Sequence, residues 1–115
     1  MTQTVRQWDI VKVRIHMEDR DEHPAVVLSR EEYCGDARQH RLNVLYGTTR
    51  RPTEAVGPLE VFLDEADGLN QGTLFSCGHF FTVSKEKISR ITGRVSVERR
   101  RQIGRRIVEA YRLPL

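Results

Sequence analysis

Val11-Lys12-Val13-Arg14-Ile15-His16-Met17 alternates apolar and polar side chains over seven residues. Alternation of period two marks a half-buried strand, with Val11, Val13, Ile15 and Met17 predicted to face inward. A polar loop follows, Glu18-Asp19-Arg20-Asp21-Glu22-His23. Pro24-Ala25-Val26-Val27-Leu28-Ser29 is then apolar with no alternation, which predicts a second strand covered on both faces. Pro24 fits the start of that strand, where its missing N–H does least harm. Two strands this close, joined by a polar loop, point to antiparallel β structure.

Outward from this pair, residues 30–40 are polar, contain Gly35 and predict a loop. Leu42-Asn43-Val44-Leu45-Tyr46 is a third strand, ended by Gly47-Thr48-Thr49-Arg50-Arg51-Pro52. Leu59-Glu60-Val61-Phe62-Leu63 alternates and is a fourth, and residues 64–72 are a turn-rich connection. His79-Phe80-Phe81-Thr82-Val83, aromatic and β-branched, is a fifth. The period then changes. Ser96 is a good N-cap, after which Ile103, Ile107 and Tyr111 recur at helical spacing. Arg99, Arg100, Arg101, Arg105, Arg106 and Arg112 cover much of the rest, and Pro114 is expected to stop the helix. Gly104 weakens a helix by roughly 1 kcal/mol relative to Ala, which predicts a close packing contact there. The expected fold class is mostly β (α+β): a small bent barrel of about five antiparallel strands with a C-terminal helix.

A chain of 115 residues and 13.4 kDa suits one domain, taken as 1–115. With 38% apolar and 30% charged residues it matches a soluble globular protein, and no apolar run is long enough to span a membrane. The first ten residues have no apolar stretch after a basic start, so no secretory signal and a cytoplasmic location are expected. Cys34 and Cys77 are then expected as free thiols, although spacing leaves a disulfide open. His16, His23, His40 and His79 show no paired-ligand spacing, so no metal site and no cofactor are expected. Charge is uneven: residues 85–115 carry ten Lys/Arg against three acids, a net of +7, whereas residues 1–84 carry −4. Such a basic third fits a nucleic acid, an acidic protein partner, or simply a solvated helix face.

Several local motifs, in order, resemble one family. Trp8-Asp9-Ile10-Val11-Lys12-Val13, the polar loop, and His23-Pro24-Ala25-Val26-Val27-Leu28-Ser29 are similar to the opening of the PemK/MazF toxins. Those toxins read Gly-Asp-Ile-Val, a loop, then Arg-Pro-Ala-Leu-Val-Leu-Ser. Leu45-Tyr46-Gly47-Thr48-Thr49, Gly68-Leu69, Cys77, Thr82-Val83-Ser84-Lys85 and Ile88-Ser89-Arg90-Ile91-Thr92-Gly93-Arg94-Val95-Ser96 fall where the family has matching segments, so the likeness spans residues 8–112. The resemblance implies an SH3-like barrel, a homodimer, and the toxin half of a toxin–antitoxin pair. It implies a cognate antitoxin that lays an acidic, extended segment over the toxin. It also implies metal-independent cutting of single-stranded RNA, with no membrane partner.

Cutting RNA through its own 2′-OH needs a group to move a proton, a group to stabilise the phosphorane, and a donor for the leaving 5′-oxygen. The family uses an Arg before the second-strand Pro and a Thr at the end of the third strand. Thr48 matches the Thr, with Thr49 as the alternative if the register slips by one. His23 stands in the Arg position. An imidazole can transfer protons near neutral pH but lacks the Arg fork for phosphate, a charge that Arg50 or Arg51 can replace. His23 reads equally well as an ordinary loop histidine beside a proline. Gly78 and Phe81 stand where some relatives carry an acid and an Arg. His79, between them, is a candidate RNA contact or an exposed strand-edge residue. Phe80 and Phe81 are expected to split between core and surface, with core packing or a dimer contact favoured over base stacking. The acidic loop at 18–22 reads as a gate to an RNA path or as a solvated loop. The altered positions also fit a gyrase-binding toxin of the CcdB-like kind, or an inactive RNA-binding module.

Overall fold

The computed structural model describes residues 4–14, 22–49 and 56–115. In chain order its elements are β1 (Asp9–Val13), β2 (His23–Val27), α1 (Glu31–Gly35), β3 (Arg41–Thr49), β4 (Glu60–Leu63), β5 (Thr73–Ser76), β6 (Phe81–Ser84), β7 (Ile88–Arg94) and α2 (Val97–Tyr111). The apolar run at Ala25, Val26 and Val27 is fully buried, as its lack of alternation predicts. Successive strand residues face opposite ways, so burial of all three demands a core on each side of the sheet. Both exist. Val26 joins Ile10, Leu45, Leu63, Phe75 and Ile103 in an inner core closed by α2. Ala25 and Val27 join Val11, Val13, Leu42, Val44, Val83 and Cys34 in an outer core partly roofed by α1.

All the strand pairs are antiparallel, running β4-β5-β3-β2-β1-β7, with β6 added on β3. Among the described residues the sheet has seven strands rather than about five, and its end strands leave it unclosed. β5 and β7 are the additions. β5 is four residues long and lies beyond the turn-rich stretch, where no alternation signals it. β7 pairs with β1 through register shifts at Ile10/Val11 and Lys12/Val13, and these bulges place its inward residues Ile88 and Ile91 three apart instead of two. The third strand likewise runs on to Thr49 instead of ending at Tyr46. The loop expected at 30–40 contains α1, which has no side-chain N-cap. Its carbonyls at Tyr33 and Cys34, and that of Asp36, accept from Lys85 Nζ at 2.9, 3.0 and 2.9 Å. Ile15 and Met17, expected to face inward, lie outside the described residues.

Two devices fix α2. Ser96 Oγ accepts from Arg99 N at 3.3 Å, the N-cap expected from sequence. Asp67, buried in the 3₁₀ turn Glu65–Asp67, accepts from Asp64 N at 3.2 Å and from Ser96 N at 3.5 Å. Beside it Gly68, at φ 94°, lies so close to Gly93 that a Cβ would come 2.8 Å from the Gly93 Cα. Along α2 the apolar face grades outward: Ile103 is buried, Ile107 half-buried and Tyr111 exposed. Gly104 makes no close contact, since a Cβ there meets nothing within 4 Å. The helix ends at Tyr111 because Arg112 turns left-handed (φ 51°), two residues before Pro114.

Candidate nucleic-acid site

β3 changes partners midway, and the change builds the site. Its pairing with β2 ends at Ala25–Tyr46, after which Gly47 and Thr48 pair with Phe75 and Leu74 of β5. A Cβ on Gly47 would lie 2.5 Å from Thr73 Cγ2 and 2.7 Å from the Phe75 ring, so only glycine lets the two strands pass this closely. His23 and Thr48 each lie two residues beyond the Ala25–Tyr46 pair. They therefore stand at the same end of the β2–β3 ladder, and alternation gives them the same face. That face is the outer one, since Ala25 belongs to the outer core and Tyr46 packs against it. His23 is half-buried and Thr48 exposed.

The basic residues on the strands near His23 lie on the other face of the sheet. His23 pairs with Val13, while Lys12 pairs with both Pro24 and Arg90, and Arg14 N bonds Lys87 O at 3.1 Å. Lys12 and Arg90 alternate to the face opposite His23, whose partner Val13 lies in the outer core, and Arg14 follows the end of β1. Sequence reasoning missed the place of Arg90 because it did not find β7. The acid beside His23 is Glu22, which accepts from Ser89 Oγ and lies 3.6 Å from Arg90 Nε. An exposed pair of this kind contributes little stability. The rest of the acidic loop lies outside the described residues.

The other candidates are dispersed. Thr49 pairs with Thr73 in β3. Arg50 and Arg51 lie outside the described residues. His79 is exposed in the turn between β5 and β6, near the end of α2, where Tyr111 Oη donates to Gly78 O at 3.0 Å. It is not in register with His23 and Thr48. Phe80 and Phe81 are both exposed rather than divided between core and surface. Phe80 stacks on Tyr111 at 5.1 Å, and Phe81 on Tyr46 at 4.7 Å. Cys34 and Cys77 are free thiols buried in the outer and inner cores respectively. Burial pushes the Cys77 thiol up to about 11 and also raises Cys34. Such thiols are poor nucleophiles and poor ligands. Among the described residues no three His, Cys, Asp or Glu side chains gather where they could hold a metal ion. No helix among them is long and apolar enough to cross a membrane.

Comparison with curated protein sequences finds no match. Solved structures share the fold. Mycobacterium tuberculosis toxin MazF-mt6 is 22% identical, with 93% of this chain and 99% of that chain covered at a TM-score of 0.77. A MazE-MazF structure from Deinococcus radiodurans is 14% identical, with 97% and 100% covered at 0.78. A mycobacterial endoribonuclease in complex with its cognate antitoxin is 14% identical, with 99% of each chain covered at 0.77. The family model for PemK-like, MazF-like toxins of type II toxin–antitoxin systems matches residues 6–111, nearly the whole chain, and the chain belongs to that family.

Proposed function

We propose that this chain is a toxin that cuts single-stranded RNA at selected sequences, using the ribose 2′-OH and no metal. The 2′-oxygen attacks the adjacent phosphorus, a phosphorane forms, and the bond to the 5′-oxygen breaks. The products are a 2′,3′-cyclic phosphate and a 5′-hydroxyl end. His23 moves the proton, removing it from the 2′-OH or delivering it to the leaving oxygen. Thr48 Oγ1 hydrogen-bonds the phosphate or the leaving oxygen. Arg50 or Arg51 supplies positive charge against the negative charge that builds on the phosphorane oxygens. Thr49 and His79 are further candidate RNA contacts.

The observation that carries this reading is the shared end and shared face of His23 and Thr48 on two adjacent strands. An imidazole and a hydroxyl, with positive charge from Arg50 or Arg51, form a minimal set for phosphoryl transfer by acid–base catalysis. One similar structure is described as an endoribonuclease with its cognate antitoxin, which supports both the activity and the partner. The working form is a homodimer in the cytoplasm, neutralised by an antitoxin whose acidic segment meets the basic C-terminal third. The test is incubation of a long single-stranded RNA with purified protein in EDTA, followed by analysis of the ends produced.

A further inference from the structure

Two aromatic rings lie on the same face of the sheet as His23 and Thr48. Tyr46 precedes Thr48 by two residues, about 6.6 Å along β3 at the usual strand rise. The Val44–Phe81 pair puts the Phe81 side chain on that face of β6. The Tyr46 and Phe81 ring centroids are 4.7 Å apart, with the planes at 52°. Tyr46 is half-buried against the outer core, so its ring is held from beneath. Phe81 leans on it and is 46% exposed, with open surface toward solvent.

We propose that Tyr46 and Phe81 form a stacking platform for one base of a single-stranded RNA whose scissile phosphate lies at His23 and Thr48. This rests on the RNA-cutting reading above. A single strand bent into a cutting site must splay its bases, and a splayed base needs a π-face to replace the neighbour it loses. The platform supplies that face, with Tyr46 two residues from the proposed catalytic hydroxyl of Thr48. A ring pair held from one side by a packed core is also stiff, so little side-chain freedom is lost on binding.

The probe is a fluorescein-labelled, fully 2′-O-methylated single-stranded RNA of random sequence, which cannot be cut and so reports binding alone. Phe81→Ala is expected to raise its Kd about 5- to 150-fold, since stacking contributes about 1–3 kcal/mol per base. Phe81→Trp keeps the ring and is expected to bind within about twofold of the parent. On cleavable RNA, Phe81→Ala should raise KM with kcat little changed. Equal binding by parent and Phe81→Ala overturns the platform and leaves the RNA-cutting reading standing. Equal losses in Phe81→Ala and Phe81→Trp also overturn it, because ring chemistry would not be what matters. A parent dimer that becomes a monomer in Phe81→Ala by light scattering assigns the pair to a contact between copies, again against the platform. A parent that neither binds nor cuts RNA overturns the reading and the platform together.

Discussion

Replacing Asp67 by Ala removes the side chain that ties the turn before β5 to the start of α2. The carboxylate is buried and accepts from two backbone groups, Asp64 N and Ser96 N. Truncation leaves both donors short of a partner, at about 1–3 kcal/mol for each group that stays buried. The Ser96 bond is long at 3.5 Å and the Asp64 N is only part-buried, so the lower half of that range applies. The Arg99 Nε, 3.9 Å away on a side chain 32% exposed, re-enters water and adds little. The expected loss is about 2–4 kcal/mol. At roughly 4 °C per kcal/mol for a domain of this size, Tm falls by about 8–16 °C. Asp67→Asn keeps one acceptor oxygen and should lose about half as much. Urea and thermal unfolding of the full chain measure both. A change below about 0.5 kcal/mol for Asp67→Ala would refute the reasoning, because it would mean those donors find water or other partners.

Gly104→Ala should stabilise the chain by up to about 1 kcal/mol, since the added methyl meets nothing and the helix gains propensity; a loss in thermal unfolding would contradict the open space above it. Cys77 couples stability to alkaline pH. Its folded thiol titrates at about 11 against an ordinary value near 9, so the folded state keeps a proton that the unfolded state releases. Stability is full below about pH 9 and falls as pH rises toward 11, by about 2–3 kcal/mol in total. Cys77→Ala should flatten that slope relative to the parent in urea titrations, and an unchanged slope would assign it elsewhere. Binding of an acidic antitoxin segment should weaken as salt rises, because charges exposed on α2 are screened beyond about 10 Å at 0.1 M. Affinity by calorimetry that ignores salt would place the contact away from the basic third.

The sequence carries the strands whose pattern is local. The apolar run at 25–27 foretells a two-sided core, and Ser96 foretells the start of α2, because each signal lies within a few residues. What it hides depends on distant partners. α1 is held by Lys85, some fifty residues away, and β7 breaks its own period through bulges that its pairing with β1 sets. Gly104 looked like a contact because glycine in a helix usually needs a reason, and its open surroundings show only in three dimensions. At the site, the resemblance singled out His23 and Thr48, whose common face follows from strand register. Arg90 escaped notice because its neighbourhood requires β7, and Tyr46 because its partner Phe81 lies on another strand.

The central claim is that His23 and Thr48 form an RNA-cutting site. The most direct measurement is cleavage of a long single-stranded RNA in EDTA by the parent chain and by His23→Ala, with the new 3′ ends analysed. The account predicts cleavage by the parent, 2′,3′-cyclic phosphate ends, and a rate about 10²- to 10⁴-fold lower for His23→Ala, the usual worth of a general acid–base group. Equal rates for the two proteins would contradict the site. No cleavage by the parent or by His23→Arg would contradict the enzyme and leave a toxin that acts by binding.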